Sequence, residues 1–235
     1  MYRVLAITCH PDDMEIFCGG TLLRCLKRGD EVTVCHVANG NMGHMTIPAD
    51  ELAQIRINEA KKSCELAGFT AMTCNVGDLL VNSADKAQID QLVKVIRQVA
   101  PDFIITHGPD DYMTDHVEVS KLVFKASFSA TVPHYEPQLG EACTVVPIYY
   151  MDNSNLVGSE PTEYVDISDE LDMKLQMLAC HESQLTWLQD HDDSNVLDDT
   201  RTFSRVRGLQ CGVRYAEGFR QCHVGLKLVA KRLLP

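Results

Sequence analysis

Apolar residues along the chain follow two patterns, short β-branched runs and longer segments with helical spacing. The short runs, which are typical of buried strands, cover residues 4–9, 31–38, 71–76, 103–106 and 145–151. The longer segments predict amphipathic helices over residues 20–28, 49–68, 85–99, 116–131 and 167–181. Gly29 and Gly68 stand where the first two of these helices would end, which is a common position for glycine.

The order of these elements predicts the fold class. Strands and helices alternate over the first half of the chain, which is typical of a mainly parallel sheet with helices on both faces. We therefore expect a three-layer, Rossmann-like α/β fold. Without a repeat or a convincing linker, residues 1–235 are predicted to form a single domain. Residues 189–200 are rich in Asp and Asn, and we expect them to form a surface loop.

Composition narrows the choice of partner and compartment. A formal net charge of -12 argues against nucleic acid, whose binding needs a basic face, and is easier to reconcile with a small neutral or cationic ligand. No apolar run reaches the roughly 18 to 20 residues that cross a bilayer. The ten cysteines form no CxxC pair, and we expect them to be small buried residues in a reducing compartment. A cytoplasmic protein is predicted, and a homo-oligomer is compatible with the sequence.

The segment CHPDDMEIFCGG directly follows the first predicted strand, at the sheet edge where open α/β folds bind ligands. It contains His10, Asp12 and Asp13, and adjacent carboxylates repel each other unless a cation holds them. An imidazole and a carboxylate are two of the three protein ligands that a catalytic zinc ion needs. We expect the third ligand to come from another part of the chain.

His116 is the best candidate for that third ligand. It lies in the stretch GPDDYMTDHVEVS, after the predicted strand 103–106 and at the start of the next helix, and therefore at the same sheet edge. Two imidazoles and a carboxylate also suit Fe²⁺. The acid that does not bind the metal could take a proton from water, and spacing does not decide between Asp12 and Asp13. The simpler interpretation is that an Asp caps a helix beginning near Met14.

At these residues the chain resembles the PIG-L/LmbE family of zinc-dependent N-deacetylases. The family signature is a His-Pro-Asp-Asp segment after the first strand together with a distant metal-binding His, and here the segment is His10-Pro11-Asp12-Asp13. Further similarities lie in Arg56 and Glu59 of RINEAKKSCELAG, in HESQ at 181–184 and in YAEGF at 215–219.

The resemblance implies an LmbE-like fold and a set of functional residues. His10, Asp13 and His116 would bind Zn²⁺, or another divalent metal such as Fe²⁺. Asp12 would be the general base for the water that attacks an acetamide carbonyl.

Three further residues have both a functional and a simpler interpretation. By resemblance, Arg56 and Asp78 would contact sugar hydroxyls, whereas the simpler interpretations are a surface ion pair and a turn residue. Asp115 could orient a metal ligand from behind, or could simply favour the start of a helix.

One position departs from the family pattern. The family commonly has His-Pro-Asp-His in the distal segment, with the first His assisting the reaction, and this chain has Met113-Thr114-Asp115-His116. Methionine cannot donate a proton. The possible substitutes are His107, His44, Tyr112 and His134. His181 is more simply a hydrogen-bonded structural residue.

Two functions remain open on this evidence. The first is a metal-dependent N-deacetylase acting on an N-acetylated amino sugar or its conjugate. The alternative is a catalytically weakened metal- and sugar-binding or regulatory protein of the same fold, which Met113 would permit. The aglycone is not identified by the sequence, because its contacts would come from loops such as 40–48 and 189–200.

Overall fold

The computed structural model describes residues 1–158 and 160–235. Within them, seven strands form one sheet with the order β3-β2-β1-β4-β5-β7-β6. The strands are β1 (Arg3–Thr8), β2 (Glu31–Ala38), β3 (Thr70–Val76), β4 (Phe103–Thr106), β5 (Ile148–Met151), β6 (Glu163–Asp166) and β7 (Ala216–Gln221). The first five are parallel, and β7 runs antiparallel to both β5 and β6.

Helices cover both faces of this sheet. They are α1 (Asp13–Phe17), α2 (Gly19–Lys27), α3 (Ala49–Ala67), α4 (Lys86–Val99), α5 (Thr114–Ser129), α6 (Leu171–Leu178), α7 (Glu182–Asp192) and α8 (Val196–Cys211). None of the helices in the described residues is long and apolar enough to cross a membrane.

The central strand β1 shows how the layers arise. Val4 and Ala6 belong to the core on the side of α1, α2 and α6, whereas Leu5 and Ile7 belong to the core on the side of α4 and α5. All four side chains are fully buried, because successive residues of a strand point to opposite faces and each face is covered by helices. The predicted three-layer α/β fold is confirmed.

The predicted surface loop at residues 189–200 is wrong. Helix α7 continues to Asp192 and α8 begins at Val196, so only a short turn separates them. The polar residues of this segment serve helix ends: the Asn195 side chain accepts a hydrogen bond from the Asp198 amide at the start of α8. Acidic residues in the first turn of α8 suit the positive end of the helix dipole, so a polar composition here marks a helix start.

Other differences concern boundaries and missing elements. The fifth strand begins at Ile148 instead of residue 145, and the helix predicted over 167–181 covers only Leu171–Leu178. Strands β6 and β7 and helices α7 and α8 were not predicted, whereas α1 corresponds to the helix near Met14 that the simpler interpretation of the HPDD segment assumed. The remaining elements agree with the predicted ones to within about three residues at each end.

A buried ion pair joins the late elements to the first helices. Glu217 of β7 accepts hydrogen bonds from the backbone amides of Gly20 and Thr21 at the start of α2, at 2.9 and 2.7 Å. Lys174 of α6 donates to the same carboxylate at 2.7 Å and to the Ser204 hydroxyl of α8 at 3.3 Å. The Lys174 side chain is 1% exposed. These contacts hold α2, α6, α8 and β7 together beside the HPDD segment.

We expect Lys174→Met to destabilise the protein, because it leaves the Glu217 carboxylate buried without a cation. Loss of one partner of a buried pair typically costs about 3–5 kcal/mol. The free energy of unfolding is measured by urea denaturation at neutral pH. Lys61→Met is the matched control, since the Lys61 side chain is 67% exposed and should not affect the denaturation midpoint. Equal midpoints for both variants would show that this ion pair is not needed for stability.

Candidate active site

The HPDD segment forms a tight turn between β1 and α1. Asp12 has a φ of 118°, a conformation that L-residues rarely adopt. Arg56 of α3 supports the turn: its Nη2 donates to the carbonyl of Pro11 at 2.5 Å and to Asp12 Oδ2 at 3.3 Å. The simpler interpretation of an Asp at a helix start is met only in position: Asp12 is the N-cap residue of α1, but its side chain makes no capping hydrogen bond to the helix.

Three donor atoms from two neighbouring strand ends converge beside this turn. Asp13 Oδ2 lies 3.6 Å from His10 Nδ1 and 3.3 Å from His116 Nε2, and the two imidazole nitrogens are 3.3 Å apart. His10 and Asp13 follow β1, whereas His116 lies in the first turn of α5, beyond β4. Because β1 and β4 are paired, the parallel sheet brings His116 to the HPDD turn.

The electrostatics of the cluster fit a cation. Although burial opposes it, Asp13 and Asp111 raise the pKa of His116 to about 9. The Asp13 pKa is lowered well below its usual value despite burial, because His116 and His107 lie beside it. The donors are two imidazoles and a carboxylate, a set that catalytic zinc and non-haem iron sites both use.

Two overlapping groups in the described residues could hold a metal ion. They are Cys9, His10, Asp13 and His116, and His107, Asp111 and His116. The Cys9 thiol lies 3.6 Å from His10 Nε2, the ring nitrogen on the side away from Asp13 and His116. Burial raises the pKa of Cys9 to about 12, and a thiol must lose its proton to bind a metal. His10, Asp13 and His116 are therefore the better donor set.

A carboxylate stands behind each imidazole. Asp111 Oδ2 lies 3.0 Å from His116 Nδ1, and Asp115 Oδ2 lies 3.5 Å from His10 Nε2. Asp115 also accepts a hydrogen bond from the Leu79 amide at 2.7 Å. A carboxylate in this position orients a metal-binding imidazole and increases its basicity. Asp115 is adjacent to His116 in sequence, but in the structure it lies behind His10.

Sequence reasoning missed Asp111, and it considered His107 only as a substitute acid. His107 is fully buried: its Nε2 accepts a hydrogen bond from the Cys9 amide at 2.9 Å and lies 3.2 Å from Asp13 Oδ2. Its ring stacks on His116 with a centroid distance of 3.9 Å. Burial, together with His116, lowers the pKa of His107 to about 4, so the ring is neutral at neutral pH. It packs against the donor cluster as an uncharged residue. The position of His107 directly after β4 was the available signal.

Asp12 lies beside the donor cluster and lines the adjoining cavity. Burial raises its pKa to about 6, although Arg56 opposes this shift. A carboxyl group that titrates near neutral pH is suited to accept a proton and to return it.

Arg56 and Asp78 support the neighbouring loop. Arg56 is 2% exposed and also donates to the carbonyl of Gly40 at 3.2 Å, so the simpler interpretation of a surface ion pair is wrong. Asp78 accepts from the amide of Gly40 at 2.8 Å and from the amide of Met42 at 3.0 Å. Both residues also line the cavity, and contact with a sugar remains a prediction for each.

A cavity of about 720 Å³ opens over the donor cluster. Its floor is formed by the HPDD turn and its outer wall by α7 and α8, including Trp187, Asp199 and Phe203. Met113 and Tyr112 also line it, and the Tyr112 hydroxyl lies 3.1 Å from the Ser154 hydroxyl.

Of the four possible substitutes for the missing histidine, Tyr112 is the one that lines this cavity. His44 is engaged with its own loop, where its Nδ1 accepts hydrogen bonds from the amides of Thr46 and Ile47. His134 is exposed in the segment after α5. His181 is fully buried and lies 2.9 Å from Glu15 Oε1, as the simpler, structural interpretation predicts.

Comparison with known proteins identifies the family. Residues 5–127 match the PIG-L family, described as GlcNAc-PI de-N-acetylase. The chain belongs to this family. The predicted resemblance is therefore confirmed.

The similarity to individual relatives extends over most of the chain. It is 29% identical to a diacetylchitobiose deacetylase of Thermococcus kodakarensis over 93% of its own length and 82% of the relative. The structure of an N,N'-diacetylchitobiose deacetylase from Pyrococcus horikoshii matches with a TM-score of 0.82 and 26% identity, covering 94% of this chain and 84% of that one. A 4-carboxy-2-hydroxymuconate hydratase from Pseudomonas putida has a TM-score of 0.83 at 21% identity, covering 99% and 100% of the two chains, which shows a shared fold.

We expect Asp111→Asn to weaken metal binding, because a neutral amide no longer increases the basicity of His116. Loss of such a partner typically costs about 10- to 100-fold in metal affinity. Zn²⁺ affinity is measured by competition with a chromophoric chelator. Asp110→Asn is the matched control, since Asp110 is exposed and pairs with Arg220 outside the cluster. Equal Zn²⁺ affinity of wild type and Asp111→Asn would exclude this role for Asp111.

Proposed function

We propose that this protein is a metal-dependent N-deacetylase that releases acetate from an N-acetylated amino sugar or its conjugate. The observation that carries the proposal is the convergence of His10 Nδ1, Asp13 Oδ2 and His116 Nε2 within 3.6 Å of one another beside Asp12, in a chain of the PIG-L family. The similarity to a diacetylchitobiose deacetylase over 93% of the chain supports the same reaction. No similar protein described above favours the alternative of a binding protein without turnover.

His10, Asp13 and His116 would hold the metal, and Zn²⁺ is the ion that we propose. When bound, the ion supplies a Lewis acid that polarises the amide carbonyl and lowers the pKa of a water molecule. Two imidazoles and one carboxylate are a three-residue donor set of the kind that catalytic zinc sites use. Asp111 and Asp115 would keep the two imidazole rings oriented.

Asp12 would be the general base. It lines the cavity beside the donor atoms, and its pKa of about 6 leaves it ionised at neutral pH and able to accept a proton from the attacking water. The same pKa permits the protonated carboxyl to pass the proton to the nitrogen that leaves. Asp12 could therefore serve as base and acid in turn, which compensates for the absence of a histidine at Met113.

Tyr112 is the second group that could assist the reaction. Its hydroxyl lies 3.1 Å from the Ser154 hydroxyl, and Tyr112 lines the cavity together with Met113. A phenol can donate a hydrogen bond to the oxyanion of the tetrahedral intermediate. Arg56 and Asp78 are retained as proposed sugar contacts. A single domain over residues 1–235 and a cytoplasmic location also remain predictions.

The proposal is tested by metal content together with amine release from N-acetylglucosamine and its glycosides. We expect about one Zn²⁺ per chain in the wild type and in Asp12→Asn. Amine release by Asp12→Asn should fall about 100- to 10,000-fold, because the amide cannot accept a proton. Asp50→Asn, at the exposed start of α3, is the control and should retain the wild-type rate.

The other outcomes distinguish the hypotheses. Full activity of Asp12→Asn would exclude Asp12 as the base. Metal-loaded wild type without any amine release would overturn the deacetylase proposal in favour of the binding-protein alternative. In that case Met113→His, which restores the family residue, should generate activity.

A further inference from the structure

The walls of the cavity carry an unusual charge balance. Five carboxylates line it, from Asp12, Asp13, Asp78, Asp115 and Asp199. Among the described lining residues, Arg56 is the only arginine or lysine. Negative charges therefore outnumber positive ones even when a divalent metal is counted. The chain as a whole has a net charge of -12, so its overall field has the same sign.

Most of the Arg56 guanidinium is already engaged within the protein. Its two terminal nitrogens already donate to the carbonyls of Pro11 and Gly40 and to the Asp12 carboxylate. Its Nε has no hydrogen-bond partner in the described residues, but it faces Gly40 so closely that a Cβ atom there would lie 2.5 Å away. No room remains for a phosphate or carboxylate oxygen between Arg56 and Gly40.

Asp199 is the carboxylate farthest from the HPDD turn in sequence, and it lies in the first turn of α8. The Ser194 hydroxyl donates to its Oδ2, which holds the side chain in place, and no cation pairs with it in the described part of the chain. The same cavity is also lined by Trp187 of α7, whose ring stacks on His191. An aromatic ring and a carboxylate without a paired cation in one cavity suit a hydroxyl-rich ring or an ammonium group.

We infer that the part of the substrate attached to the N-acetylated sugar is neutral or cationic, and that Asp199 sets this preference. This inference rests on the proposed deacetylase function and deepens it. Suitable groups are a second sugar, a polyol or an amine-bearing unit. Their hydroxyl or ammonium groups would donate hydrogen bonds to the Asp199 carboxylate. A phosphate or carboxylate in the same place would meet the like charge of Asp199, and Arg56, the one arginine or lysine among the described lining residues, is largely engaged by Pro11, Gly40 and Asp12.

The test uses three glycosides of N-acetylglucosamine with small aglycones that differ chiefly in charge. They are the methyl, 2-aminoethyl and 2-carboxyethyl β-glycosides, compared with zinc-loaded wild type at low ionic strength. We expect kcat/KM for the carboxyethyl glycoside to be about tenfold below that of the methyl glycoside. The aminoethyl glycoside should match or exceed the methyl glycoside.

The variant Asp199→Asn assigns this preference to one residue. It should reduce the ratio of kcat/KM between the aminoethyl and carboxyethyl glycosides about fivefold. Asp198→Asn is the matched control, because Asp198 is adjacent in sequence but its side chain is 70% exposed and does not line the cavity. It should leave the ratio unchanged. A structural defect would lower both rates together and would not alter their ratio.

Two results would overturn the inference: equal kcat/KM for the carboxyethyl and methyl glycosides in wild type, or an unchanged ratio in Asp199→Asn. Binding of the same three compounds is also measured by calorimetry, so that charge preference is determined without turnover. Charge-ordered binding that Asp199→Asn weakens, without amine release, would refute the deacetylase proposal while supporting the role of Asp199. Binding that ignores charge would refute the role of Asp199 whether or not amine is released.

Discussion

The site depends on one buried cation, the Arg56 guanidinium. It is 2% exposed, and it connects the HPDD turn to the loop that begins at Gly40 through hydrogen bonds to two carbonyls and one carboxylate. Burying a charge is unfavourable unless its hydrogen-bonding groups find partners. Here those partners include the strained residue Asp12, so the contacts that compensate for burial of Arg56 also hold Asp12 in a backbone conformation that L-residues rarely adopt.

A second set of side chains surrounds the donor cluster and contacts the donor residues. Asp111 and Asp115 lie behind the two imidazoles, and His107 packs against both Asp13 and His116. Each of the three donor side chains is therefore held in place by a contact with one of these neighbouring residues. Such a site is largely formed before a ligand arrives, which limits the reorganisation that binding requires.

Features that depend on short sequence patterns were predicted correctly, whereas features that depend on contacts between distant residues were not. The five parallel strands and the HPDD segment depend on short patterns, and these were predicted with the correct sheet edge. Asp111 and His107 could not be ranked as partners of the site, because their roles depend on the side-chain directions of a loop that adopts no repeating pattern. The loop predicted at residues 189–200 failed for a different reason: Asn195 and the following acidic residues stabilise a helix start, and the same residue types occur in turns. The helices that form the outer wall of the cavity, α7 and α8, were consequently not predicted.

The long separation between the two histidines has a consequence for the folding of the proposed metal site. His10 and His116 are 106 positions apart, and they meet only when β4 has joined β1. Parallel pairing of distant strands is slow, since the loop entropy is lost before the contacts form. A nascent chain that ends before α5 has the complete HPDD turn and still lacks the third proposed ligand. An ion bound at the proposed site would therefore stabilise only chains in which β4 has already paired with β1.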